Sequence, residues 1–134
     1  MPREILQDVI LAWAVGCTSN SNTITLVKDG RLMGNGVGQQ DRVGAAKLAI
    51  LRADDVAVFA DSKVERADLA NAIAYSDSFF PFPDAVEVLI NRGVKTIFST
   101  SGSVNDEKIA EFCKNKGVKL ILLPDTEARG LYQH

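Results

Sequence analysis

The chain has 134 residues, a length that suits one domain built around a single core. Hydrophobic residues make up 46% and charged residues 24%, a balance that excludes disordered, collagenous and membrane-embedded classes. The net charge of −2, with lysines and arginines scattered singly, gives no electrostatic footing for nucleic acid or an anionic membrane.

The first element is MPREILQDVILAWAVGC. It imitates a lipoprotein signal, but Glu4 and Asp8 break the charge pattern and the uninterrupted apolar run from Val9 to Val15 is short. Ile5, Leu6, Val9, Ile10 and Trp13 share one helical face, so an amphipathic helix is predicted and no transmembrane segment is expected. Next, NTITLVKDGRLMGNG alternates apolar and polar residues around Lys28, Asp29 and Gly30, which predicts antiparallel strands at about 23–28 and 31–35. QQDRVGAAKLAILRA has helical spacing at Val43, Leu48, Ile50 and Leu51, while VAVFAD after it reads equally as a short strand or as the end of that helix. SKVERADLANAIAY opens with a Ser62 cap and reads as helix at least to Asn71, its last residues free to straighten into a strand.

SDSFFPFPD, residues 76–84, sets three phenylalanines and two prolines between acidic residues. Pro81 and Pro83 forbid regular structure, so an ordered loop is predicted. It either plugs its own core or forms a wall for a flat ring, with Asp77 or Asp84 as the polar handle. DAVEVLINRGVKTIF and NDEKIAEFCKNKGVKLILL then repeat one grammar: a cap, an amphipathic helix, a glycine just past its end and a β-branched strand. Such crossovers give parallel pairs, so the fold class is α/β, a mixed sheet with helices on both faces.

In an α/β sheet the ligand crevice lies outside the carboxyl ends of the strands. Three segments point there. GNGVGQQDR, with Gly34, Gly36 and Gly38, offers amides to an anion or is simply a hairpin exit. STSGSVND offers hydroxyls or is a satisfied turn and cap. The aromatic loop is the third. Cys17 and Cys113 lack metal spacing and read as buried reduced thiols, which places the chain in the cytoplasm. His134, the sole histidine, ends the chain, and no zinc, GxSxG or Cys–His pattern declares an enzyme.

TSNSNTITLVKDGRLMGNGVGQQDRVGAAKLA, VERADLANAI, SDSFFPFPDAVEVLINRGV and STSGSVNDEKIAEFCKNKGVKLIL with the terminal histidine resemble, in order, the C-terminal part of aminoimidazole carboxamide ribonucleotide (AICAR) formyltransferase. That activity is usually fused to an IMP cyclohydrolase in bifunctional purine biosynthesis proteins. The resemblance implies one cytidine-deaminase-like subdomain without zinc, spanning residues 1–134 as a single domain. It implies a half-domain for formyl transfer from 10-formyltetrahydrofolate, as cosubstrate, to AICAR. Asn22 would contact the reacting amine or formyl group, Phe79 would stack near the AICAR base, and Arg129 and His134 would complete the nucleotide side. Val43, Asn71, Pro81, Phe82, Asp84 and Ser103 would line the folate side.

The departures are specific. The family's lysine–histidine pair belongs to another subdomain. Pro83 stands where an arginine is usual, Gly16 where a lysine is usual, and Gly130 where an arginine holds phosphate, with Arg129 beside it. The expected partners are therefore a nucleotide, a folate, and either a second copy in a homodimer or a subunit carrying the other half of the site. The alternative is a non-catalytic module that binds folate or a purine intermediate, or that only dimerises.

Overall fold

A computed structural model of the chain describes residues 2–124. Helix α1, Arg3–Cys17, leads into the hairpin of β1, Ile24–Lys28, and β2, Arg31–Gly36. Helix α2, Arg42–Ala60, is followed by an irregular stretch and β3, Ile73–Ser76. Then come α3, Asp84–Asn91, β4, Thr96–Thr100, α4, Asp106–Asn115, and β5, Lys119–Leu123. The sheet order is β2-β1-β3-β4-β5. β1 runs antiparallel to both β2 and β3, whereas β3, β4 and β5 run parallel.

The hairpin forms because Asp29 and Gly30 both take positive φ, 51° and 75°, the conformation a two-residue turn needs to match strand twist. Asp8 of α1 anchors it by accepting the Gly30 N–H at 2.8 Å. The sheet is covered unequally. α2, α3 and α4 pack on one face through Ala45, Ala49, Val86, Leu89, Ile109 and Cys113, while α1 lies on the other against Val27, Ile73, Tyr75 and Phe98. The mixed sheet with helices on both faces is thus present, and both cysteines are buried and free.

Two expectations need correction and one open reading is settled. Residues 62–71 form no helix: Ala67 N–H donates to Asp54 Oδ1 at 2.9 Å, Arg92 donates to the Ala67 carbonyl at 3.1 Å, and Asn71 sits at φ 64°. Those long-range bonds, with Ala67 and Leu69 buried, outweigh local helical spacing. VAVFAD resolves as the end of α2, of which Leu51, Val56, Val58 and Phe59 face outward while alanines face the sheet. The buried line of α1 is Val9, Ala12, Gly16 and Cys17; of the predicted stripe Val9 is buried and Ile5 and Trp13 pack beside it, whereas Leu6 and Ile10 are exposed. Small residues win because they let the helix approach the sheet: a Cβ on Gly16 would lie 2.1 Å from the Tyr75 ring.

Candidate functional site at the loop end of the sheet

Because β1 opposes β3, its first residue lies at the same end of the sheet as the last residues of β2, β3, β4 and β5. Four segments gather there: residues 18–23, 37–41, 77–83 and 101–105. Backbone bonds lace the first two together, Asn22 N–H to the Gln39 carbonyl at 3.2 Å and Gln39 N–H back to the Asn22 carbonyl at 3.1 Å. The Ser21–Asn22 peptide is cis.

Beneath these loops lies a buried polar knot. Arg42, the first residue of α2, is 7% exposed and forms an ion pair with the wholly buried Asp77. Its Nη1 also donates to Ser76 Oγ at 3.1 Å and to the Thr23 carbonyl at 3.3 Å, and its Nη2 donates to Asn22 Oδ1. The Thr23 N–H donates to Asp77 Oδ1 at 3.0 Å. Burial pushes the Asp77 carboxyl upward, yet the Arg42 charge, with hydrogen bonds from Thr23, Arg42 and Ser21, holds it below its ordinary value. Asp77 is therefore not the open handle that the sequence suggested. It is the anchor of an arginine that the candidate residues had omitted, across a separation of 35 positions that no sequence spacing announces.

The aromatic loop divides its labour. Phe80 is buried and plugs the core, whereas Phe79 and Phe82 are 37% and 61% exposed. The core-plug reading is therefore realised by Phe80, and Phe79 and Phe82 remain exposed for the second. Ser99 and Ser76 each donate a hydroxyl to the Ser78 carbonyl, at 2.9 and 2.6 Å, which pins the loop's start. Asn105 Nδ2 donates to the Pro81 carbonyl at 2.6 Å and ties it to the neighbouring turn. Phe79 lies over Gly102, where an added Cβ would sit 3.8 Å from its ring. Pro81, Phe82 and Asp84 are exposed at this end, Ser103 is half-buried in the adjacent turn, and Val43 follows Arg42 on α2.

Asn71 is not brought to this end within one chain. It precedes β3 at the opposite end, its N–H bonded to the Gly93 carbonyl at 2.8 Å. Arg129 and His134 lie outside the described residues. Two anion readings lose their donors. A Cβ on Gly34 or Gly36 would meet the Ala49 or Ala45 carbonyl oxygen at 2.1 or 2.2 Å, so these glycines admit α2 to the sheet and form no open cradle. In the STSGSVND turn, Asp106 already accepts the N–H groups of Gly102 and Ser103 at 2.8 and 3.3 Å. The satisfied turn is what forms.

Neither thiol offers a ready nucleophile: burial raises Cys17 and pushes Cys113 up to about 11. Among the described residues no group of three or more His, Cys, Asp or Glu could hold a metal, and no helix is long and apolar enough to cross a membrane. A cleft of about 570 Å³ lies at the far end, between the hairpin tip and the end of α2, lined by Leu32, Met33, Val56 and Asp68 among others. Among the described residues the loop end is instead uncovered, with two exposed aromatic rings over the buried polar knot.

Comparison with known proteins places the chain. A family model described as the AICARFT/IMPCHase bienzyme matches residues 1–52. The chain is 40% identical over 117 residues to the bifunctional purine biosynthesis protein PurH of Mycobacterium ulcerans, and equally to that of Mycobacterium marinum. The match covers 87% of this chain and 20% of each relative, so the chain spans about a fifth of their length. In structure it is similar to a diaminohydroxyphosphoribosylaminopyrimidine deaminase/5-amino-6-(5-phosphoribosylamino)uracil reductase from Thermotoga maritima, with TM-score 0.59 and 19% identity, over 98% of this chain and 40% of that one. Acinetobacter baumannii RibD gives TM-score 0.56 and 20% identity over 96% and 38%. Those likenesses carry the fold alone, which is cytidine-deaminase-like.

Proposed function

From its place in the AICARFT/IMPCHase bienzyme family, to which this chain belongs as a fragment of the bifunctional PurH type, we propose that it supplies half of a formyltransferase site in purine biosynthesis. One observation carries the reading: Asn22, Phe79, Pro81, Phe82, Asp84, Ser103 and Val43, widely spaced in sequence, come to the same end of the sheet. Phe79 offers a half-exposed face to the imidazole of AICAR, and Phe82 offers a second to the pterin of 10-formyltetrahydrofolate. A flat ring suits such faces because stacking needs no hydrogen-bonding specificity, which Asn22 and the turn residues would add.

In the reaction the 5-amino nitrogen of AICAR attacks the formyl carbon. A new C–N bond forms, the bond from that carbon to N10 of the folate breaks, and one proton passes from the amine to the departing nitrogen. This chain's residues orient the two rings for that attack. Of the carboxylates at this end, Asp77 is committed to Arg42, Asp41 accepts the Gly44 N–H and Asp106 accepts the Gly102 and Ser103 N–H groups, while Asp84 is exposed. A proton-transfer pair of the lysine–histidine kind would come from a second chain or another copy.

The same observations favour a weaker second reading in one respect. Gly16, packed against Tyr75, has no room for a side chain, so a lysine there would demand a moved helix. A ligand-binding module without chemistry keeps the aromatic wall and dispenses with that charge. The test is reconstitution. A PurH relative produced without its matching 117 residues is mixed with this chain, and formyl transfer is followed by tetrahydrofolate release. Activity restored by the chain and abolished by Phe79→Ala supports the half-site. Physical association without activity supports the module.

A further inference from the structure

Arginine is a donor only, so the atom of Asn22 that meets Arg42 Nη2 has to be its carboxamide oxygen. Ser21 Oγ lies 3.4 Å from the same oxygen. Arg42 cannot swing away to release it, because its Nη1 is held by Asp77, Ser76 and the Thr23 carbonyl in a pocket that leaves the arginine 7% exposed. Asn22 itself is half-buried, its backbone fixed on both sides by Gln39, and among the described residues its Nδ2 makes no hydrogen bond.

We propose that the Asp77–Arg42 pair is a positioning device that locks the Asn22 carboxamide with its oxygen inward and its NH2 group toward the open loop end, so that Asn22 acts only as a hydrogen-bond donor. The ligand atom it meets is then an acceptor of the carbonyl class. A ring amine, which is itself a donor, is rejected at that point. This deepens the half-site reading and rests on it: Asn22 would contact the formyl or carboxamide oxygen of the reactants and not the attacking amine. A donor fixed before the ligand arrives is also worth more to a developing oxyanion than one that must reorient.

Three variants of the intact chain test it, each followed by thermal melting and by calorimetric titration with AICAR. Asn22→Asp keeps the acceptor facing Arg42 and removes the donor. It is expected to melt at or above the unaltered protein's temperature while AICAR affinity falls about tenfold or more. Asn22→Leu, of similar size and without an acceptor, is expected to lower the melting temperature. Arg42→Lys preserves a cation for Asp77 but loses the second arm of the fork. In protein labelled with 15N at asparagine, AICAR should shift the Asn22 NH2 pair of the unaltered chain and leave it unmoved in a folded Arg42→Lys variant. A merely structural role would not produce that loss.

Asn22→Asp that melts as early as Asn22→Leu, or that binds AICAR as well as the unaltered chain, overturns the proposal. If the unaltered chain binds no AICAR while Asn22→Asp keeps its melting temperature, the inward oxygen stands. The half-site reading and the carbonyl-class ligand then fall together.

Discussion

Asp77 stays charged in a fully buried position because Arg42 and the Thr23 N–H compensate for its lost water. Removing the carboxylate leaves a buried guanidinium uncompensated, and Asp77→Asn is expected to cost about 3–5 kcal/mol in urea unfolding at neutral pH. The acid dependence has a definite sign. Since the folded carboxyl lies below its ordinary value, the unfolded chain binds more protons in the acid range, and stability rises with pH there. The contribution is complete above about pH 4, the ordinary carboxylate value, and disappears as pH falls through the lower folded value. Asp77→Asn should therefore flatten the acid limb of a stability–pH curve measured from pH 7 downward. An unchanged limb would mean that Asp77 does not carry it. Asp54 is shifted the same way, chiefly by hydrogen bonds from Arg92, but it is far less buried and adds at most about 1 kcal/mol.

At the scale of elements, close approach decides which side chains matter. The Gly34 position admits α2 to within contact of β2, and the obstacle to a Cβ is the Ala49 carbonyl, which cannot rotate away. Gly34→Ala is expected to destabilise the fold by about 1–3 kcal/mol, read from the urea midpoint. Helix α1 gives a paired check of its buried line. Val9→Ala should cost about 2 kcal/mol, whereas Ile10→Ser, at a site 52% exposed, should stay within about 0.5 kcal/mol. The reverse order would restore the face drawn from hydrophobic spacing. That spacing was sound where local rules govern: Asp29–Gly30 makes the hairpin, and Gly93 and Gly117, at φ 111° and 71°, follow the ends of α3 and α4 as their positions foretold. It failed where the deciding contacts are distant. The stretch 62–71 has helical spacing, yet Asp54 and Arg92 capture its backbone from α2 and from the end of α3.

At the scale of the molecule, the sequence pointed to the loop end of the sheet and to the aromatics exposed there but not to the polar floor beneath them. Phe79 and Phe82 could be picked out because proline confines them to a loop. The division of labour with Phe80 needs the core to be seen. Arg42 could not be paired with Asp77 and Asn22 from spacing, since three separate loops and strands must first converge. The chain spans about a fifth of its relatives' length, so the proposed half-site calls for a second stretch of polypeptide to complete it. The cleft of about 570 Å³ between the hairpin tip and α2 competes as a place for a small molecule.

The decisive measurement is a 15N chemical-shift titration of the chain with AICAR, read residue by residue. The loop-end account predicts that shifts concentrate at Asn22, Gln39, Phe79 and Gly102 and vanish in Phe79→Ala. Shifts centred on Lys28, Leu32, Val56 and Asp68, or none at the loop end at saturating ligand, would contradict it.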